Sequence, residues 1–240
     1  MYYYIIEALP KYNLTRLQNK IRAELDGLGI SGEMALASPA RGAEELAQIG
    51  LEKGYSTIVA IGDDFLINRL AALLVNSSAA LGIIPVGASY ELSTMFGAPN
   101  LRVACQTLRN HQTRQIDLAQ IAPNKYFLSN ATITPPEPAF IELELDNKYR
   151  LEATIRAITI SSKLNITLWS HGAKAPSIWG RMFKQASPTN LTILQAHNLR
   201  LYTPQPFNIN IDNHVFAKTP AEITRHSQVL KVITTYDKLK

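Results

Sequence analysis

Four short runs of apolar and β-branched residues, at 2–6 (YYYII), 31–37, 56–61 (STIVAI) and 81–86 (LGIIPV), punctuate the first half of the chain, and each is followed by a stretch with helical periodicity. Near-continuous apolar runs predict strands buried on both faces, and the 3.6-residue period between them predicts helices that cover those faces. Asn13 is placed to cap a helix over Leu14–Leu25. Ser38 followed by Pro39 reads as a cap and first-turn proline for a second helix carrying Ala43, Leu46, Ala47 and Leu51, which Gly54 stops. Leu66, Leu70, Leu73 and Leu74 mark a third helix, and Leu92–Leu108 holds one or two more, broken near Pro99. This β-α alternation predicts a parallel sheet flanked by helices.

Beyond about residue 114 the period falls from 3.6 to 2. In AFIELELDNKYRLEATIRAITISS, Ile141, Leu143 and Leu145 alternate with Glu142 and Glu144, and Asp146-Asn147-Lys148 reads as a hairpin turn between two long strands. Further strands are expected at Asn165–Trp169, Asn190–Gln195, Asn198–Tyr202, Phe207–Ile211, Glu222–Thr224 and Val229–Thr234. The expected fold is an α/β N-terminal domain over 1–112 and an all-β, sandwich-like C-terminal domain over 113–240. The boundary falls near His111–Gln115, and the C-terminus is expected to return toward the first domain.

Composition narrows the picture. With 46% hydrophobic and 18% charged residues and no low-complexity tract, an ordered globular chain is expected throughout. The single cysteine, Cys105, sits in an apolar helical pattern and reads as a small core hydrophobe, and no disulfide within the chain can form. The five histidines neither pair at helical spacing nor approach Cys105, so no zinc site is expected. The N-terminus lacks a basic flank and no apolar run approaches the ~20 residues of a spanning helix, so the expected location is cytoplasmic.

The net charge of +5 is uneven, with 9 Lys/Arg against 10 Asp/Glu in residues 1–110 and 15 against 9 in residues 111–240. A basic second half suits an anionic partner. In HGAKAPSIWGRMFKQ, Lys174, Arg181 and Lys184 stand among Ile178, Trp179 and Phe183, a mixture that suits peripheral contact at the inner membrane surface. Core packing by Trp179 and Phe183 is the alternative. Nucleic acid is not an expected partner, and the residues fix no oligomeric state.

Two turns follow predicted strands and open predicted helices, the position at which backbone N–H groups can hold phosphate. They are Ile61-Gly62-Asp63-Asp64-Phe65 and Gly87-Ala88-Ser89-Tyr90-Glu91. With IVAIGDDF, LGIIPVGASYELSTMFGAP, RQIDLAQI and the closing QPFNINIDNHVFAKTPAEITRHSQVLKVI, the chain resembles the diacylglycerol-kinase-like lipid kinases. In that family a strand leads into GGDGT, then LGIIPLGTGNDFARxLGIP, then R-x-IDLG-x-V, with a DGE turn near the end.

The resemblance implies a cleft between the two domains, with ATP phosphates on the backbone of Gly62, Asp63, Asp64, Phe65, Gly87, Ala88 and Ser89. It implies Mg²⁺ managed by Asp63 and Asp64, and a lipid hydroxyl deprotonated by the residue at the position of His214, beside Asp212. The motifs are altered. Ile61 and Asp64 stand for two glycines and Phe65 for the threonine; Ala88, Ser89 and Tyr90 replace Thr, Gly and Asn; EALPKYN replaces the family's NPxSG; and His214 replaces a glutamate. A Cβ at Ile61 and a negative charge at Asp64 oppose close approach of a polyanion. Three readings follow: a lipid kinase using ATP and Mg²⁺, a pseudokinase-like binding protein, and an NAD-kinase-like enzyme. Helix capping is the structural alternative for Asp63 and Asp64, and a plain turn for Asp212 and His214.

Overall fold

The structure, a computed structural model, describes residues 1–8, 12–170 and 190–235. Five helices and fifteen strands are assigned among them. Strands β1 (Tyr2–Glu7), β2 (Glu33–Ala37), β3 (Thr57–Gly62) and β4 (Ala80–Pro85) alternate with helices α1 (Leu14–Gly27), α2 (Ala43–Glu52) and α3 (Asp64–Leu73). After β4 come α4 (Tyr90–Met95) and α5 (Leu101–Asn110). The remainder is all β: β5 (Thr113–Ile121), β6 (Lys125–Phe127), β7 (Ala131–Ile133), β8 (Ala139–Leu145), β9 (Tyr149–Ile160), β10 (Asn165–Ser170), β11 (Asn190–Gln195), β12 (Asn198–Tyr202), β13 (Asn208–Ile211), β14 (His214–Lys218) and β15 (Ala221–Ile233).

The chain forms two compact units. The first comprises Met1–Leu118, Tyr126–Ser129 and the chain from His226 on; the second comprises Ala119–Lys125 and Asn130–Arg225. In the first, the strand order is β2-β1-β3-β4, all parallel, and Val232 at the end of β15 continues it in parallel beside Leu81. Every residue of β3 is buried, as is each of Tyr3, Tyr4, Ile5 and Ile6 in β1, because helices cover the sheet. Asn13 caps α1 as its position suggests, and Asp63, Ser89 and Asn100 likewise each accept a backbone N–H from their helix's first turn. A Cβ at Gly82 of β4 would lie 2.4 Å from the Leu108 side chain of α5, so this glycine lets Leu108 pack directly onto the strand.

Two local expectations change. Ser38-Pro39 does not begin α2. Ser38 and Arg41 exchange backbone hydrogen bonds in a tight turn, Gly42 takes the cap position, and Glu44 and Glu45 supply the acidic first turn. The expected strands at Glu222–Thr224 and Val229–Thr234 form one strand, β15, whose irregularity is absorbed by Gln228 at φ +55.

In the second unit the order β14-β13-β7-β9-β8-β12-β15 is antiparallel, and β10 and β11 extend it from β9. Alternation sets its burial: Ile141, Leu143 and Leu145 point into the core with Ile155, Ile158 and Leu199, and the glutamates between them face outward. The β8–β9 turn uses Asp146 and Asn147 at φ +54 and +55, the left-handed pair that a two-residue-type hairpin turn favours.

Candidate functional site

β3 and β4 run side by side with Ile61 opposite Ile84 and Gly62 opposite Pro85, so the turns that follow them open at the same end of the sheet. The Val86 N–H donates to the Gly62 carbonyl at 2.9 Å, which carries the pairing to the edge of the second turn. Asp63 is the α3 cap, its Oδ1 accepting the Leu66 N–H at 3.1 Å. Asp64 is the first residue of the helix, is buried, and its Oδ1 accepts the Ser89 N–H at 2.7 Å. Ser89 in turn caps α4, its Oγ accepting the Leu92 N–H at 3.2 Å. Three backbone donors of these turns are therefore matched to acceptors supplied by the turns themselves. Gly87, at φ +78, holds a conformation that a side chain would strain.

Ile61 does not obstruct this end of the sheet. It is fully buried in β3, with its side chain in the core of the first unit. Gly62 is also part of β3, and a Cβ there would come within 2.7 Å of the Leu66 side chain, so its smallness serves the seating of α3.

Charge is concentrated here. The Phe65 ring lies under the Arg69 guanidinium, 4.7 Å away, one turn along α3. Arg69 reaches Glu7 at the end of β1 at 2.6 Å and Glu44 of α2 at 3.3 Å. The Glu91 carboxyl is pushed above its ordinary range, first by loss of hydration and then by the Asp64 charge. Glu91 nevertheless keeps much of its surface in water, so that repulsion is partly screened. Asn68, buried on α3, uses its whole amide: it donates to the Asp64 carbonyl at 2.7 Å and the Ser129 Oγ at 2.6 Å, and accepts from the Leu128 and Ser129 N–H groups at 2.7 and 3.1 Å. Among the described residues, no group of three or more His, Cys, Asp or Glu side chains is arranged to hold a metal ion.

The structure thus brings Asp64 and Ser89 into contact and sets Asp63 beside them, with Gly62, Phe65, Gly87 and Ala88 in the adjoining backbone. Asp212 and Asn213, at φ +48 and +62, form the two-residue turn between β13 and β14, and His214 is the exposed first residue of β14, opposite Ile211. Lys174, Trp179, Arg181 and Lys184 lie outside the described residues. No helix among the described residues is long and apolar enough to cross a membrane. The sequence reading did not single out Glu7, Glu44, Asn68 or Arg69. The signal for Arg69 was its i+4 spacing from Phe65 on a helix; Glu7 needed the register that sets Ile6 opposite Ile61.

Residues 11–121 match the family model for the diacylglycerol kinase catalytic domain. The "Probable lipid kinase YegS-like" of Enterobacter sp. (strain 638) is 34% identical over 98 residues, 39% of this chain and 31% of that one. The protein of the same description from Pseudomonas fluorescens is 27% identical over 121 residues, 48% of this chain and 40% of that one. The matched stretches span less than half the length of either relative. Among solved structures, a diacylglycerol kinase from Bacillus anthracis str. Sterne superposes with a TM-score of 0.76 at 14% identity, covering 98% of this chain and 96% of that one. The model match and the relatives bear on the half that contains both turns, and the superposition shows that the fold of the diacylglycerol kinases extends over nearly the whole chain.

Proposed function

We propose that this chain is a diacylglycerol-kinase-fold binding protein that transfers little or no phosphate. The observation that carries the reading is the 2.7 Å hydrogen bond from the Ser89 N–H to the buried Asp64 carboxylate. Ser89 is one of the backbone donors that the family resemblance would assign to ATP phosphate, and here it already holds an anion belonging to the protein. A charge-assisted bond of this length is among the stronger kinds. An incoming phosphate would also meet the Asp64 charge: at roughly 5 Å and an effective dielectric near 20, each like-charge pair costs about 3 kcal/mol, or about two orders of magnitude in affinity. Arg69, the cation on the same helix, is already matched by Glu7 and Glu44. The residues present do not fit a triphosphate. Asp63 and Asp64 act as a helix cap and a tie between turns, and Asp212 and His214 as parts of a hairpin.

The ligand class in this reading is a lipid or an anionic membrane surface at the cytoplasmic face. Its supports are the basic excess of residues 111–240, 15 Lys/Arg against 9 Asp/Glu, and the lipid-kinase description of the relatives. The test is transfer of labelled phosphate from ATP·Mg²⁺ to diacylglycerol in mixed vesicles by the unmodified chain. Turnover far below the ~1–100 per second of ordinary kinases is expected. A rate within that range would overturn the reading and return Asp63, Asp64 and His214 to the roles the resemblance implies.

A further inference from the structure

One sheet edge of the second unit is chemically unlike the rest of its surface. β11 pairs antiparallel with β10 and, among the described residues, with no other strand. The far side of such a strand presents backbone N–H and C=O groups ready to pair, and proteins ordinarily blunt it with charges, proline, bulges or a covering element. β11 reads NLTILQ, with no charge and no proline. β14, the edge at the other end of the same unit, is defended. It carries His214 and Lys218, and the Lys125 ammonium donates to the Phe216 carbonyl at 2.7 Å and sits over the Phe216 ring.

The side chains give a second, independent observation. Leu191 and Ile193 are 55% and 67% exposed. Residues directly opposite in an antiparallel ladder share a face, so Leu191 lies beside Trp169 and Ala157, and Ile193 beside Thr167 and Thr159. That stretch of sheet surface carries no charge. On β8 and β9 the corresponding outward positions are Glu142 opposite Glu152 and Glu144 opposite Arg150.

We propose that β11 pairs antiparallel with β11 of a second copy of this chain, joining the two second units into one sheet across a two-fold axis. An edge that is unpaired among the described residues calls for a strand as its partner, and the absence of charge on β11 calls for an uncharged one. A two-fold axis perpendicular to the sheet preserves its faces only if each residue pairs with one of the same parity. A centre on Thr192 meets that condition and sets Leu191 of each copy opposite Ile193 of the other. Four exposed apolar side chains then form one patch, and no charge opposes a like charge across the join. The contact is isologous and consumes the edge, so assembly stops at two.

The test is the mass of the full chain by light scattering at micromolar concentration, with two variants. The unmodified protein is expected at twice its 26.6 kDa chain mass. Ile193→Lys is expected to give the single-chain mass with an unchanged far-ultraviolet dichroism spectrum. Thr192→Cys places two thiols at the axis and is expected to give a disulfide-linked dimer on mild oxidation, while Thr154→Cys, exposed on β9, is expected to stay single; Cys105 is buried and does not compete. The Thr192→Cys result stands even if Ile193→Lys fails to fold. A single-chain mass for the unmodified protein would overturn the proposal. So would a dimer that Ile193→Lys leaves intact and Thr192→Cys does not trap, or a single chain that binds vesicles through Ile193, which would assign the face to lipid.

Discussion

Asp64 and Asp146 perform the same local act in the two units, and their difference shows where a common structural device acquires functional weight. Each is a carboxylate that accepts backbone N–H groups from a distant part of its own unit. Asp146, in the exposed β8–β9 turn, accepts from His197 and Asn198, both at 2.8 Å, and ties the hairpin to the start of β12. Asp64 is buried and ties the turn after β3 to the turn after β4. Asp146 is half-buried at the surface, and its two donors hold its carboxyl below the ordinary range. Asp64 lies where parallel strands end and a fold of this kind offers its donors to a ligand, with Glu91 close enough for their charges to repel. The bond is alike in both places. What differs is what it displaces: water at Asp146, a candidate anion at Asp64.

The largest expected effect breaks the first tie from behind. Asn68→Ala removes the amide that binds the Asp64 carbonyl and leaves the Leu128 and Ser129 N–H groups without their acceptor in a largely buried setting. A loss of about 3 kcal/mol in denaturant unfolding is expected, since each buried unsatisfied group costs ~1–3 kcal/mol. A loss under about 1 kcal/mol would show that this end of the first unit is not held by its polar ties. The corresponding change in the second unit, Asp146→Ala, is expected to cost only about 1 kcal/mol at pH 7, because the two freed N–H groups can turn to water.

Acid sharpens the contrast because the two units contain carboxyl groups shifted in opposite directions. Asp146 is held low by the His197 and Asn198 N–H groups, so its contribution is full above the unfolded carboxylate value near 4 and is lost as pH falls through its lower folded value. Asp146→Ala should therefore flatten that part of the acid limb of the stability curve. Glu91 is held high by lost hydration and the Asp64 charge, so its folded form binds the proton more tightly. Its penalty is full above the raised folded value and vanishes as pH falls below the unfolded one. Glu91→Gln is then expected to be slightly more stable than the unmodified protein at pH 7, with the difference closing in acid. Chemical denaturation between pH 3 and pH 7 reads both; shifts of the same sign would refute the contrast.

Most of the fold was legible because the two units use different periods. Buried parallel strands such as β3 and β4 are short unbroken apolar runs, β8 alternates strictly, and the caps at Asn13 and the turn at Asp146-Asn147 are local chemistry that a sequence displays directly. Less legible were features fixed by contact. Ile61 appears in the sequence as an obstruction in a phosphate turn, yet only the pairing of β3 with β1 and β4 shows that its side chain belongs to the core. The Asp64–Ser89 bond joins residues 25 apart, and Arg69 meets Glu7 across 62 residues, so neither follows from spacing along one element. Gln228 reads as a break because its positive φ interrupts the alternation without ending the strand.

The most direct test of the Asp64 tie is calorimetric titration of ATP·Mg²⁺ into the unmodified chain and into Asp64→Asn and Asp64→Gly. Asp64→Asn removes the charge and can keep an oxygen on the Ser89 N–H, whereas Asp64→Gly removes both. No saturable binding is expected for the unmodified protein up to about 1 mM nucleotide, with affinity rising at least ~10-fold in Asp64→Asn and further in Asp64→Gly. Micromolar binding by the unmodified protein that weakens when Asp64 is replaced would contradict the reading and make Asp64 part of a nucleotide site.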